Sequence, residues 1–126
     1  MNVDRKLPLK ALNTLAIFMG MVEAVSNGAR LLFLMKMLDH EAEAIICDQL
    51  RSLLGVVDDG HPERGWALMR SAIDQLVPLS NRVAKELYRI QDNAEIHDVT
   101  VYHLRRIQEA GKLLQNEKLI KMKVGL

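Results

Sequence analysis

The sequence predicts an all-α protein, a bundle of four or five helices, and three observations lead there. Apolar residues make up 49% of the chain while aromatics make up only 4%, so Leu, Ile, Val, Ala and seven Met must fill the core. Long stretches place apolar residues at steps of three and four, the helical period. The nearest strand candidate, Val99-Thr100-Val101-Tyr102, is β-branched but short, and no second segment offers it a hairpin partner. At 126 residues and 14.3 kDa the chain fits one domain, large enough to bury roughly two thirds of its unfolded surface. With 26% charged residues and three Pro, it is not disordered by composition.

The first helix is expected from about Pro8, a residue suited to a first helical turn, to Leu38. Ser26-Asn27-Gly28 in its middle is expected to kink it or divide it. Asp39 caps the second helix, whose stripe is Ile46, Leu50, Leu53, Leu54 and Val57. Gly55 and Val57-Asp58-Asp59-Gly60-His61 end it, and Pro62 opens the third. There Met69, Ile73, Leu76, Ser80, Val83, Leu87, Ile90 and Ala94 alternate steps of four and three, in phase across Pro78. Two separate helices have no reason to stay in phase, so one long helix over 62–93, kinked at Pro78, is expected. Asp98 caps the fourth, with Val101, Leu104, Ile107, Gly111 and Leu114 inward, and the tail after Glu117 adds one more turn.

Chemistry finds little to stand on. One cysteine, Cys47, makes neither an internal disulfide nor a zinc site, which suits a reducing, cytoplasmic setting. The N-terminal stretch carries no signal cleavage pattern. Its longest uncharged run, Ala11 to Val22, is 12 residues, against about 20 for a membrane span. A His-Asp doublet at His97-Asp98 suggests a metal-dependent phosphohydrolase, but Asp98 is the last aspartate, and His97 and His103 fall on opposed helix faces. The Glu-x-x-His pattern of di-iron bundles is absent: Glu95 precedes His97 by two, and Glu41 and Glu43 follow His40. No phosphate loop, Gly-x-Ser-x-Gly or metalloprotease motif occurs. The expectation is a protein that is not an enzyme, with no catalytic residue, metal or cofactor.

Charge is near balance overall, at +1, but unevenly spread. Residues 1–10 carry +2, residues 11–98 carry −5 and residues 99–126 carry +4, counting Lys, Arg, Asp and Glu. Arg105, Arg106, Lys112, Lys118, Lys121 and Lys123 thus compose a basic helix and tail suited to phosphates, or to the C-terminal end of a helix dipole. A helix-turn-helix over Gln49–Val56 fails because the recognition helix would open on Asp58, Asp59 and Glu63.

The first helix is apolar beyond the needs of one core face. From Leu31 to Leu38 seven of eight residues are apolar, where a surface helix needs a stripe of a little over 100°. Met19, Met21, Met35 and Met37 lie on it, and Met suits surfaces that adapt to a partner as well as cores. A second subunit is the common cover for such excess. Met19, Met21, Phe33, Met35 and Met37 are therefore the candidate dimer or partner interface. The leading expectation is a homodimeric interaction protein (adaptor, chaperone-like binder or inhibitor) that binds a protein partner, with no membrane. The alternative is a nucleic-acid-binding regulator using the basic C-terminal helix and tail.

Overall fold

The computed structural model describes residues 9–57, 62–117 and 119–120. Four helices form: α1 (Leu9–Leu34), α2 (His40–Val57), α3 (Pro62–Ile90) and α4 (His97–Asn116). No strand occurs among the described residues. Short connections make consecutive helices antiparallel neighbours. α1 packs against all three other helices, most heavily against α4, and α3 likewise meets all of them, whereas α2 and α4 share almost no contact. The cross-section is therefore a flattened diamond: α1 and α3 form the central pair, with α2 and α4 on either side.

Gly28 explains why the central pair sits so close. An added Cβ there would meet Val83 Cγ1 at 2.8 Å and Leu87 Cδ1 at 3.0 Å. The Ser26-Asn27-Gly28 segment thus neither divides α1 nor ends it; the helix runs through, and the glycine is where α3 presses in. Phe18, Met21, Val25 and Leu32 of α1 meet Ile73, Leu76, Val83 and Leu87 of α3 in one buried cluster. Ile46, Leu50 and Leu53 close it from α2, and Leu104, Ile107 and Leu114 from α4.

Helix ends differ from expectation where hydrogen bonding outweighs apolar periodicity. α1 stops at Leu34 rather than Leu38. Lys36 takes a left-handed φ of 62°, and the Lys36 and Met37 amides donate to the carbonyls of Phe33 and Leu32 at 3.0 and 2.8 Å. This paired closure is a Schellman motif with lysine where glycine is usual. Asp39 does cap α2: its Oδ1 accepts the Ala42 amide at 2.7 Å. α3 ends at Ile90, three residues early, leaving Ala94 exposed. There the Asn93 amide bonds the Ile90 carbonyl at 3.1 Å and Asn93 Oδ1 accepts the Glu95 amide at 3.0 Å, a side-chain turn that competes with the helix.

Asp98 is not the cap of α4. Ile96 occupies that position without a side-chain cap, and Asp98 lies in the first turn, where its charge complements the helix dipole. Thr100 and Ala110, rather than half-buried Val101, join Leu104, Ile107, Gly111 and Leu114 on the inner face. The expected extra turn after Glu117 does not form over Leu119 and Ile120. Instead the Leu119 amide reaches back to the Leu114 carbonyl at 3.0 Å, and both side chains tuck into the core.

Candidate functional site

The outward ridge of α1 is Leu12, Ala16, Met19, Glu23, Asn27, Arg30 and Leu34, all exposed at helical spacing. Its first half is apolar and its middle polar, so packing against three helices leaves two apolar regions that no described residue covers. One lies at the N-terminal half of α1 beside the C-terminal half of α4, where Leu12, Met19 and Leu113 are each about half exposed. The other is the corner after α1: Leu34 is 63% exposed and Met37 41%, with Phe33 and Met35 half-buried beside them. Along α1 the two regions are separated by about 22 Å from Met19 to Leu34, at the helical rise.

The expected interface residues divide accordingly. Met19 and Met37 are exposed, Phe33 and Met35 half-buried, and Met21 is 0% exposed in the centre of the core. Met21 faces inward because it shares a face with Phe18, Val25 and Leu32, a register that apolar count alone does not resolve. Phe33 makes an edge-on contact with His40, centroids 5.8 Å apart.

A cleft of about 170 Å³ between α1 and α4 is lined by Ile17, Gly20, Arg106, Glu109, Ala110 and Leu113. Gly20 lines it with open space: apart from its own stretch of helix, no described atom lies within 4 Å of where its Cβ would stand. Arg106 bridges the cleft's edge, its Nη1 3.3 Å from Glu23 Oε1, with its guanidinium 5.7 Å from the Tyr102 ring centroid. Of the basic residues expected to act together, Arg105 and Lys112 are exposed on α4, Arg106 is drawn toward α1, and Lys118, Lys121 and Lys123 lie outside the described residues. Glu109 sits on the same exposed surface between Arg105 and Lys112, so the signs alternate there.

Sequence reading missed Tyr102 (56% exposed) and Leu113 (48% exposed). They stand three turns apart on the side of α4 opposite its buried stripe, a spacing visible in the sequence once that stripe is placed. It also missed three buried polar atoms that have no hydrogen-bond partner among the described residues: Glu43 Oε2, Thr100 Oγ1 and His103 Nδ1. Glu43 Oε2 lies 3.6 Å from Arg30 Nη1, an ion pair too long for a hydrogen bond. Burial, and then the neighbouring Arg106 charge, hold the His103 pKa below its ordinary value.

Of the other histidines, His61 lies outside the described residues and two sit at helix ends. His40 opens α2, and exposed His97 donates from Nδ1 to the Gln91 carbonyl, tying the start of α4 to the preceding turn. Cys47 is a free, half-buried thiol. Among the described residues no three His, Cys, Asp or Glu side chains gather to hold a metal. A second groove, about 500 Å³ and open, runs between α2 and α3 past Asp48, Ser52, Gln75 and Pro78; Asp48 is engaged by Arg51 at 3.0 Å. The stretch Leu12–Leu34 is long and apolar enough to cross a membrane, yet the fold packs it against three helices. No family model, curated protein or solved structure matches the chain.

Proposed function

We propose that the chain is a non-catalytic interaction protein, a cytoplasmic homodimer that works by occupying a protein partner as an adaptor, chaperone-like binder or inhibitor. The observation that supports this reading is the pair of apolar regions on α1 that remain uncovered although α1 already packs on three helices. Two separated regions suit two contacts, one with a second copy and one with the partner. Met37 and half-buried Met35 at the corner bring flexible, polarisable side chains to the second region. A kink at Pro78 belongs to this reading: the ring removes the amide that would bond the Asp74 carbonyl, easing a bend of α3 alongside α2.

Light scattering behind size exclusion tests it. The full chain is expected at about twice 14.3 kDa, independent of salt and with a protein-like 260/280 nm ratio. The double variant Phe33→Ser/Met37→Ser is expected to lose either the dimer or the bound protein; an assembly of unchanged mass and composition would count against the proposal. A second reading, nucleic-acid binding, draws support from exposed Arg105 and Lys112 seven residues apart on α4. It predicts a raised absorbance ratio at low salt that vanishes at high salt, and a salt slope reduced by Arg105→Ala/Arg106→Ala.

A further inference from the structure

Tyr102, Arg106, Glu109 and Leu113 form one stripe on α4, at spacings of four, three and four, on the side away from its buried residues, and the last three of them also line the cleft with α1. Read in either direction the stripe is apolar, charged, oppositely charged, apolar. Such an order is complementary to itself when two copies of the helix run antiparallel. We infer that the chain dimerises through this stripe, α4 against α4 of a second copy, about a two-fold axis at the height midway between Ile107 and Gln108. This deepens the proposed homodimer and rests on it.

The pairing follows from two-fold symmetry, in which every contact occurs twice. Tyr102 meets the partner's Leu113, and Arg106 meets the partner's Glu109. Arg106 is already positioned for this, steered by Glu23 at 3.3 Å and lying over the Tyr102 ring. No described residue pairs with Glu109 inside the chain. Tyr102 arrives at the partner's Leu113 and so at the cleft that Leu113, Ile17 and Gly20 line. That docking gives Gly20 a reason to be glycine. A glycine weakens a helix interior, and among the described residues nothing occupies the space at Gly20, unlike Gly28, into which α3 presses. A tyrosine ring entering from a second copy does need it.

The charges also favour a second copy over nucleic acid on this surface. Glu109 at the centre of the stripe would face phosphate with like charge, whereas a two-fold mate offers it Arg106. The corner region at Leu34 and Met37 stays free in this arrangement, left for the protein partner.

Sedimentation equilibrium on the full chain tests the inference. Gly20→Leu fills the cleft that the second copy's Tyr102 would enter, its Cβ standing in open space, and Glu109→Arg sets cation against cation twice. Each is expected to raise the dimer dissociation constant at least tenfold while circular dichroism stays helical. Arg106→Glu alone is expected to be monomeric as well. Mixed one to one with Glu109→Arg, it should form a heterodimer, because both cross-contacts then pair opposite charges. A wild-type dimer that ignores Gly20→Leu and Glu109→Arg but dissociates on Phe33→Ser/Met37→Ser overturns this interface and leaves the proposed homodimer standing. A chain that stays monomeric to about 1 mM overturns both.

Discussion

Lys36 shows how one residue can oppose its own fold. A non-glycine residue in the left-handed region costs roughly 1–2 kcal/mol, and Lys36 holds φ at 62° to let two amides close α1. Lys36→Gly keeps both bonds and removes the Cβ conflict, so it should raise unfolding free energy by about 1 kcal/mol, read as a higher urea midpoint at unchanged slope. His103 opposes the fold in a different way, through its proton. Its folded pKa lies below the unfolded value, because burial and Arg106 disfavour the imidazolium. The unfolded chain therefore binds the proton first, and the stability present above about pH 6.5 declines as pH falls through that value toward the lower folded pKa. Urea midpoints at pH 7.5 and 5.5 should differ in that direction, and His103→Gln should flatten the difference.

Among the helices, α1 is the one whose sequence must satisfy conflicting neighbours. Its two interior glycines serve opposite purposes. Gly28 is buried where Val83 and Leu87 leave no room; Val83 is β-branched and yields poorly. Gly28→Ala gains about 1 kcal/mol of helix propensity but loses about 1–3 kcal/mol to overpacking, a net destabilisation of about 1 kcal/mol. Gly20→Ala meets nothing and should keep the propensity gain of about 1 kcal/mol. Thermal melts at protein concentrations low enough to leave the chain monomeric would show the two variants moving in opposite directions. α3 runs through Pro78 with its buried residues Ile73, Leu76, Val77, Ser80 and Val83 packed on both sides of the proline. Ser80 Oγ bonds the Leu76 carbonyl at 2.9 Å across it.

For the molecule as a whole, packing decides stability and charge decides little. Among the described residues the inter-helix ion pairs, Glu23 with Arg106 and Arg30 with Glu43, each involve one largely exposed partner, and such pairs contribute about 0–1 kcal/mol. The apolar cluster around α1 and α3 carries the fold of the single chain, and a second subunit on the α4 stripe would add to it at the cleft between α1 and α4. If two copies associate as inferred, folding and assembly are linked. At about 100 times the dimer dissociation constant the linkage adds roughly 2.7 kcal/mol. The thermal midpoint should then climb by several degrees as concentration rises through that range, and a midpoint flat with concentration would argue for a monomer.

The residues by themselves determined that this chain is helical and where its inner stripes run. Ile46, Leu50 and Leu53 on α2, Met69 to Leu87 on α3, and Leu104, Ile107 and Leu114 on α4 are buried as their spacing requires, because helical period and hydrophobic burial are local properties. The Asp39 cap was legible for the same reason: its partner amide lies three residues away. α1 was not legible in this way, since a helix apolar on nearly every side has no periodicity that distinguishes core from surface. Only the tertiary structure assigned Met21 to the core, left Met19 and Leu34 outside, and turned Gly28 from a presumed break into a point of contact. The cleft at Gly20, the reach of Arg106 to Glu23 and the exposed Tyr102–Leu113 stripe depend on α4 lying against α1. That adjacency joins residues more than eighty positions apart, and it arises from packing that no local window of sequence contains.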